Sequence, residues 1–212
     1  MIEDKIYAEY LKALIAGRRQ ACTNIVQSLL ADGVSIPDLY AQLFQRSMVE
    51  IGERWERHEI SVAVEHLATS ITENLMSLTY PLLFEHPETH KSAVVSCAAN
   101  EFHQIGGRMV ADILEMHGWS AFFLGANTPV EDLMDMIHRK TPDLVALSLS
   151  VYFNMPSLIR SVERIRASHP DLPILIGGQA FRWGGCEQIA RFDNVKYVPD
   201  LSTLERIADS AP

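Results

Sequence analysis

Apolar residues in the first third of the chain recur every three or four positions, the spacing of one helical face. Ile6, Tyr10, Leu11 and Leu14 predict a first helix, stopped by Gly17. Ile25, Leu29 and Leu30 predict a second, stopped at Asp32-Gly33. Ser35 is placed to cap a third helix with Pro37 in its first turn. Its stripe is Leu39, Leu43, Phe44, Met48, Ile51 and Trp55. A fourth helix starts near Ser61 with Val64, Leu67, Ile71, Leu75 and Leu78 on one face, and Pro81 ends it. Four helices with short links predict an antiparallel bundle over residues 1–85.

From Lys91 the pattern changes. Short apolar runs at 93–98, 121–124, 144–150, 174–176 and 195–198 alternate with amphipathic stretches at 108–117, 129–139, 155–168, 186–190 and 201–208. Uninterrupted apolar strands are expected where both faces of a parallel sheet are covered. The predicted fold class is therefore α/β. An N-terminal four-helix bundle precedes a five-stranded parallel Rossmann-like (flavodoxin-like) domain over 91–212, with 85–90 as the linker.

Composition narrows the function. The 212 residues are 48% hydrophobic and 21% charged, as in globular proteins. A formal charge of −9, with no basic run longer than Arg18-Arg19, argues against direct nucleic-acid binding. Cys22, Cys97 and Cys186 are scattered, which predicts neither a disulfide framework nor a cysteine zinc site and fits a reducing, cytoplasmic setting. The N-terminus lacks the apolar core of a signal peptide, and no apolar run is long enough to span a bilayer.

The chemistry concentrates in SCAANEFHQIGG, residues 96–107, where strand, polar loop, glycine pair and helix follow one another. In open parallel sheets such loops face a binding crevice. His103 offers one imidazole to a transition metal, and Glu101 could fix its tautomer from two positions away. A solvated loop histidine beside an unrelated acid fits the same letters. Ser148 and Ser150 end the third apolar run, and Gly177-Gly178 end the fourth. Each alone reads as a turn or cap; their joint placement around one crevice points to a ligand.

These residues resemble a known family. The ExHxxG loop through Gly106, the Leu147-Ser148 pair and Gly177-Gly178 resemble the DxHxxG, SxL and GG signature of cobalamin-binding Rossmann-like domains. The resemblance implies that His103 is the lower axial cobalt ligand, replacing the cofactor's own dimethylbenzimidazole. It implies a slot for the displaced nucleotide tail by Ser148 and Gly177-Gly178. The helical half resembles the cap of CarH-type light-sensing regulators, whose Trp and Glu-His stand ten positions apart as Trp55 and Glu65-His66 do. Those regulators also carry Glu in the ExHxxG loop. By that similarity Trp55 covers the upper corrin face beside Val62, Glu65 and His66. A core role for Trp55, closing its helical stripe, remains open.

Departures accompany the matches. The His that follows Trp in CarH-type proteins is Glu56 here, leaving His58 or His66 as substitutes. Ser150 stands where SxL has Leu. Met1 leads straight into the bundle, so the expectation is a regulator without the family's DNA-binding domain. His86, His90, His117, His138 and His169 read as structural or solvent-facing, and Trp183 as packing.

The leading expectation is a cobalamin-dependent photoreceptor, of the adenosylcobalamin rather than methylcobalamin type, that regulates transcription through a partner such as a transcription regulator or kinase. Neither membrane nor nucleic acid is expected as a partner, and a homo-oligomer is left open. A corrinoid methyl carrier of a methyltransferase system is the alternative. A ligand-free flavodoxin-like interaction domain is a third reading. No nucleophile–base pair or phosphate loop is present, so no enzyme is expected.

Overall fold

The computed structural model describes residues 1–85 and 87–210, so His86 of the expected linker lies outside the described residues. The chain divides into two compact units, with the break after Leu82.

In the first unit, α1 (Asp4–Ile15) ends where Gly17 takes a left-handed φ of 64°. A second helix, α2 (Arg19–Ala31), stops before Gly33, φ 79°. Ser35 caps α3 (Ile36–Leu39) by accepting the Asp38 N–H, with Pro37 in the first turn. The stripe from Leu39 predicts one uninterrupted α-helix. Instead a π-helical segment, Tyr40–Gln45, separates α3 from α4 (Arg46–Glu56). The wider coil keeps Tyr40, Leu43 and Phe44 buried together, and the Tyr40 hydroxyl lies 2.7 Å from Thr79 Oγ1.

Trp55 departs from its stripe. Leu39, Leu43, Phe44 and Ile51 are fully buried, but Trp55, in the last turn of α4, is 45% exposed and is not core. In α5 (Val62–Met76) the inward face begins at Ala68 and continues through Ile71, Thr72, Leu75 and Met76. Val62 and Leu67 stay exposed, so the predicted stripe holds only in the later turns.

The second unit is a parallel sheet of β1 (Ser92–Cys97), β2 (Ser120–Phe123), β3 (Leu144–Ser148), β4 (Ile174–Gly177) and β5 (Val195–Tyr197), in the order β2-β1-β3-β4-β5. The order switches direction at β1 and β3, where crevices form in such sheets. The central strands are buried almost throughout; edge strands β2 and β5 are only partly so, since each has a neighbour on one side. Five helices connect or flank the strands: α6 (Ile105–Met116), α7 (Val130–Lys140), α8 (Met155–Ser168), α9 (Cys186–Ile189) and α10 (Leu201–Ser210).

Three expectations shift. Gly106-Gly107 lie inside the first turn of α6 rather than before it. β3 ends at Ser148, because Leu149 is buried in a loop and prolongs the apolar run without prolonging the strand. Trp183 is 73% exposed, not packed. It ends the 3-10 turn Gln179–Trp183, whose inward side is taken by Ala180 and Phe181, the latter's ring 5.0 Å from that of Tyr197. No helix among the described residues is long and apolar enough to cross a membrane.

Candidate functional site

The sheet register sets Cys97, Ser148 and Gly177 side by side at the carboxyl ends of β1, β3 and β4. The first turn of α6 presses against this row. A Cβ at Gly107 would stand 3.1 Å from Phe123 Cε2 and 3.3 Å from Cys97 Sγ, and one at Gly106 would stand 3.5 Å from Ser148 Oγ. At Gly107 the Phe123 and Cys97 side chains leave a Cβ little room, whereas at Gly106 the contact with Ser148 would be an ordinary one.

Between β1 and α6, Asn100 takes a left-handed φ of 67°, which asparagine tolerates. The turn aims Glu101 inward and His103 outward. Glu101 is fully buried, whereas the His103 side chain is 55% exposed. Glu101 Oε1 accepts the His103 backbone N–H at 3.0 Å and lies 2.6 Å from His103 Nδ1. Its other oxygen, Oε2, accepts the N–H groups of Ser150 at 2.9 Å and Val151 at 2.8 Å.

Burial raises the Glu101 pKa. The bonds from His103 and from the Val151 and Ser150 N–H groups outweigh it, holding the carboxyl below its usual range. An ionised carboxylate can only accept, so the Nδ1 proton sits on the imidazole, and in the neutral ring the lone pair is then on Nε2. That is the tautomer a metal ligand needs. The Cys97 thiol beside it is pushed up to about 12, by burial and then by the Glu101 charge, and stays protonated at neutral pH.

The residues fit cobalamin on their own terms. Among the described residues no group of three or more His, Cys, Asp or Glu side chains converges to hold a bare ion. A single oriented imidazole suits a metal whose other positions are already filled by a macrocycle. Phe102 and Phe153, exposed on the loops after β1 and β3, offer apolar surface to a large flat ligand.

Gly177-Gly178 have a reason in the backbone alone. Gly178 has φ 117°, and a Cβ there would lie 2.0 Å from the Leu149 carbonyl oxygen; one at Gly177 would lie 3.0 Å from Val198 O. Sequence reasoning missed Val151, whose contribution is a backbone N–H. It also missed the asparagines that stitch the loops: Asn127 Oδ1 accepts the Asn100 N–H at 2.9 Å, and Asn154 Nδ2 donates to Asn100 O at 2.9 Å. The available signal was the residue type, asparagine at 100 and 127, which tolerates the left-handed backbone that both positions adopt.

The remaining predicted residues belong to the first unit. Trp55 closes α4, and Val62 and His66 are exposed in the first turns of α5. Glu65 is partly buried, accepting the Thr69 hydroxyl at 3.0 Å while His66 Nε2 lies 3.5 Å from its Oε2. His58 is exposed in the α4–α5 turn, with φ 59°.

Residues 91–193 match a family model described as B12 binding domain, and residues 6–79 match a second model with the same description. The HTH-type transcriptional repressor CarH of Myxococcus xanthus is 29% identical over 174 residues. The match covers 79% of this chain and 56% of the repressor, so the chain spans little more than half of that relative's length. Trimethylamine corrinoid protein 1 of Methanosarcina acetivorans is 20% identical, with 83% of this chain and 84% of the relative covered. The monomethylamine corrinoid protein of Methanosarcina barkeri shares the fold over the full length of both chains, with a TM-score of 0.84 at 18% identity.

Proposed function

We propose, on the premise that this chain is a B12-binding domain protein resembling the CarH-type regulators, that it is a cobalamin-dependent light sensor acting through a partner protein. The observation that carries the reading is the His103–Glu101 pair, an exposed imidazole held in the metal-binding tautomer by a buried carboxylate. His103 would hold the lower face of the metal through Nε2. Ser148 and Gly177-Gly178 would flank the nucleotide tail, with Ser150 beside them. Trp55, Val62, Glu65 and His66 would form the cover of the upper face, and the exposure of Trp55 supports that role over a core one. When bound, cobalamin supplies a cobalt–carbon bond that light can break. The acidic charge of the chain favours output through a protein surface rather than through nucleic acid. In this reading the chain binds and signals without turning over a substrate.

A specific observation favours the second reading, a corrinoid methyl carrier: the likeness to a corrinoid protein extends over both whole chains, whereas the CarH match covers about half of the repressor. Absorption spectra with adenosylcobalamin and methylcobalamin, in darkness and after green light, separate the two. The sensor reading expects a histidine-ligated adenosylcobalamin spectrum that changes on illumination while cobalamin stays bound. Preference for methylcobalamin without a light response would support the carrier. His103→Ala should abolish the histidine-ligated spectrum, and an unchanged spectrum would sink the ligand assignment.

A further inference from the structure

Glu101 does more than face an imidazole. Its two oxygens serve two different loops: Oε1 holds His103 in the loop after β1, and Oε2 holds the N–H groups of Ser150 and Val151 in the loop after β3. No side-chain hydroxyl takes part in this clasp. Three of the four donors are backbone groups, which cannot rotate away, and the acceptor is wholly buried.

We propose that Glu101 is a positioning residue for both loops at once, and that its length lets one carboxylate hold the His103 loop and the 150–154 loop at a fixed spacing before any cofactor is present. An aspartate in its place would be shorter by one carbon–carbon bond, about 1.5 Å. Hydrogen bonds weaken steeply outside a narrow range of distance, so the shorter chain keeps one loop or the other but not both. The loop that follows Val151 carries the exposed Phe153 and leads into α8, so the spacing also sets where that aromatic ring and the start of α8 stand relative to His103.

The inference rests on the cobalamin reading for its purpose, but its first test needs no cofactor. In the ligand-free protein the amides of Ser150, Val151 and His103 should exchange with deuterium slowly and together, although they lie in surface loops. Exchange at the rate of open loops would overturn the clasp without any variant. Glu101→Asp should speed exchange at Ser150 and Val151 by about tenfold or more, and should shift the low-field proton resonance of His103 Nδ1. Asn154→Ala removes the neighbouring stitch to Asn100 O and leaves the carboxylate in place; it should change those amides far less. Equal loosening by both variants, or none by Glu101→Asp, would overturn the proposal.

Hydroxocobalamin then reads the consequence. Glu101→Ala, which removes the carboxylate from both loops, should weaken imidazole ligation in the absorption spectrum, and Asn154→Ala should keep it. If Glu101→Ala keeps full imidazole ligation, the role of Glu101 in setting the ligand is overturned. If the unaltered protein binds no hydroxocobalamin, the cobalamin reading fails, while the deuterium exchange and the His103 resonance still decide the clasp.

Discussion

The loop after β1 and the corner between α4 and α5 carry the residues proposed for the two faces of the cofactor, and they are built on opposite principles. In the loop, a buried carboxylate has four N–H donors and a neighbouring asparagine stitch. At the corner, Trp55, Val62 and His66 are exposed, and the side-chain bonds of Glu65 and His66 stay within α5. A group that sets metal coordination must be oriented before the metal arrives, because reorienting it on binding would cost affinity. A cover must part to admit its ligand, so it leaves apolar surface uncovered until that ligand is present.

The largest effect that could break this contrast is at Glu101. Glu101→Ala strands the His103, Ser150 and Val151 N–H groups and should destabilise the second unit by about 3–5 kcal/mol, at about 1–3 kcal/mol for each donor left without its acceptor. The urea midpoint measures it. A loss below about 1 kcal/mol would show that the loop is as loosely held as the corner. Gly178→Ala comes next. Both Gly178 and Gly184 have strongly positive φ, but only at Gly178 would a Cβ meet backbone, 2.0 Å from Leu149 O; around Gly184 nothing lies within 4 Å. Gly184→Ala carries conformational strain alone, about 1–3 kcal/mol, and Gly178→Ala should exceed it measurably in the same urea experiment. Equal costs would mean that the loop after β3 yields easily.

Much of this was legible in the sequence, and the rest was hidden for identifiable reasons. Short apolar runs alternating with amphipathic stretches marked all five strands, and their uninterrupted character marked the parallel sheet. The Glu101–His103 pairing was readable because both partners are side chains two residues apart. The other half of the clasp was not, since the N–H groups of Ser150 and Val151 carry no mark in the letters. The π-helical segment Tyr40–Gln45 was hidden because its apolar residues still fall three and four apart. The end of β3 was masked by Leu149, buried in a loop as deeply as a strand residue. Periodicity likewise predicted that Trp55 faces inward with Ile51, and it could not register that α4 ends one residue later.

Trp55 gives the smallest expected effect on stability and the sharpest use of the comparison. Replacing a fully buried large aromatic by alanine costs about 3–5 kcal/mol through lost burial and the cavity left behind. Phe44, fully buried with its ring 5.9 Å from that of Tyr40, should behave so in the first unit. Trp55 is nearly half exposed at a helix end, so Trp55→Ala should cost less than about 1 kcal/mol in the same urea experiment. A tryptophan that contributes so little to folding is left with its exposed surface as its role. In the variant, histidine ligation of cobalamin should persist, since His103 and Glu101 belong to the other unit, while the light response or the upper-ligand preference changes. A loss comparable to that of Phe44→Ala would place Trp55 back among the residues that hold the bundle together. Normal stability with an unchanged light response would remove it from the cover and leave the upper face to Val62, Glu65 and His66.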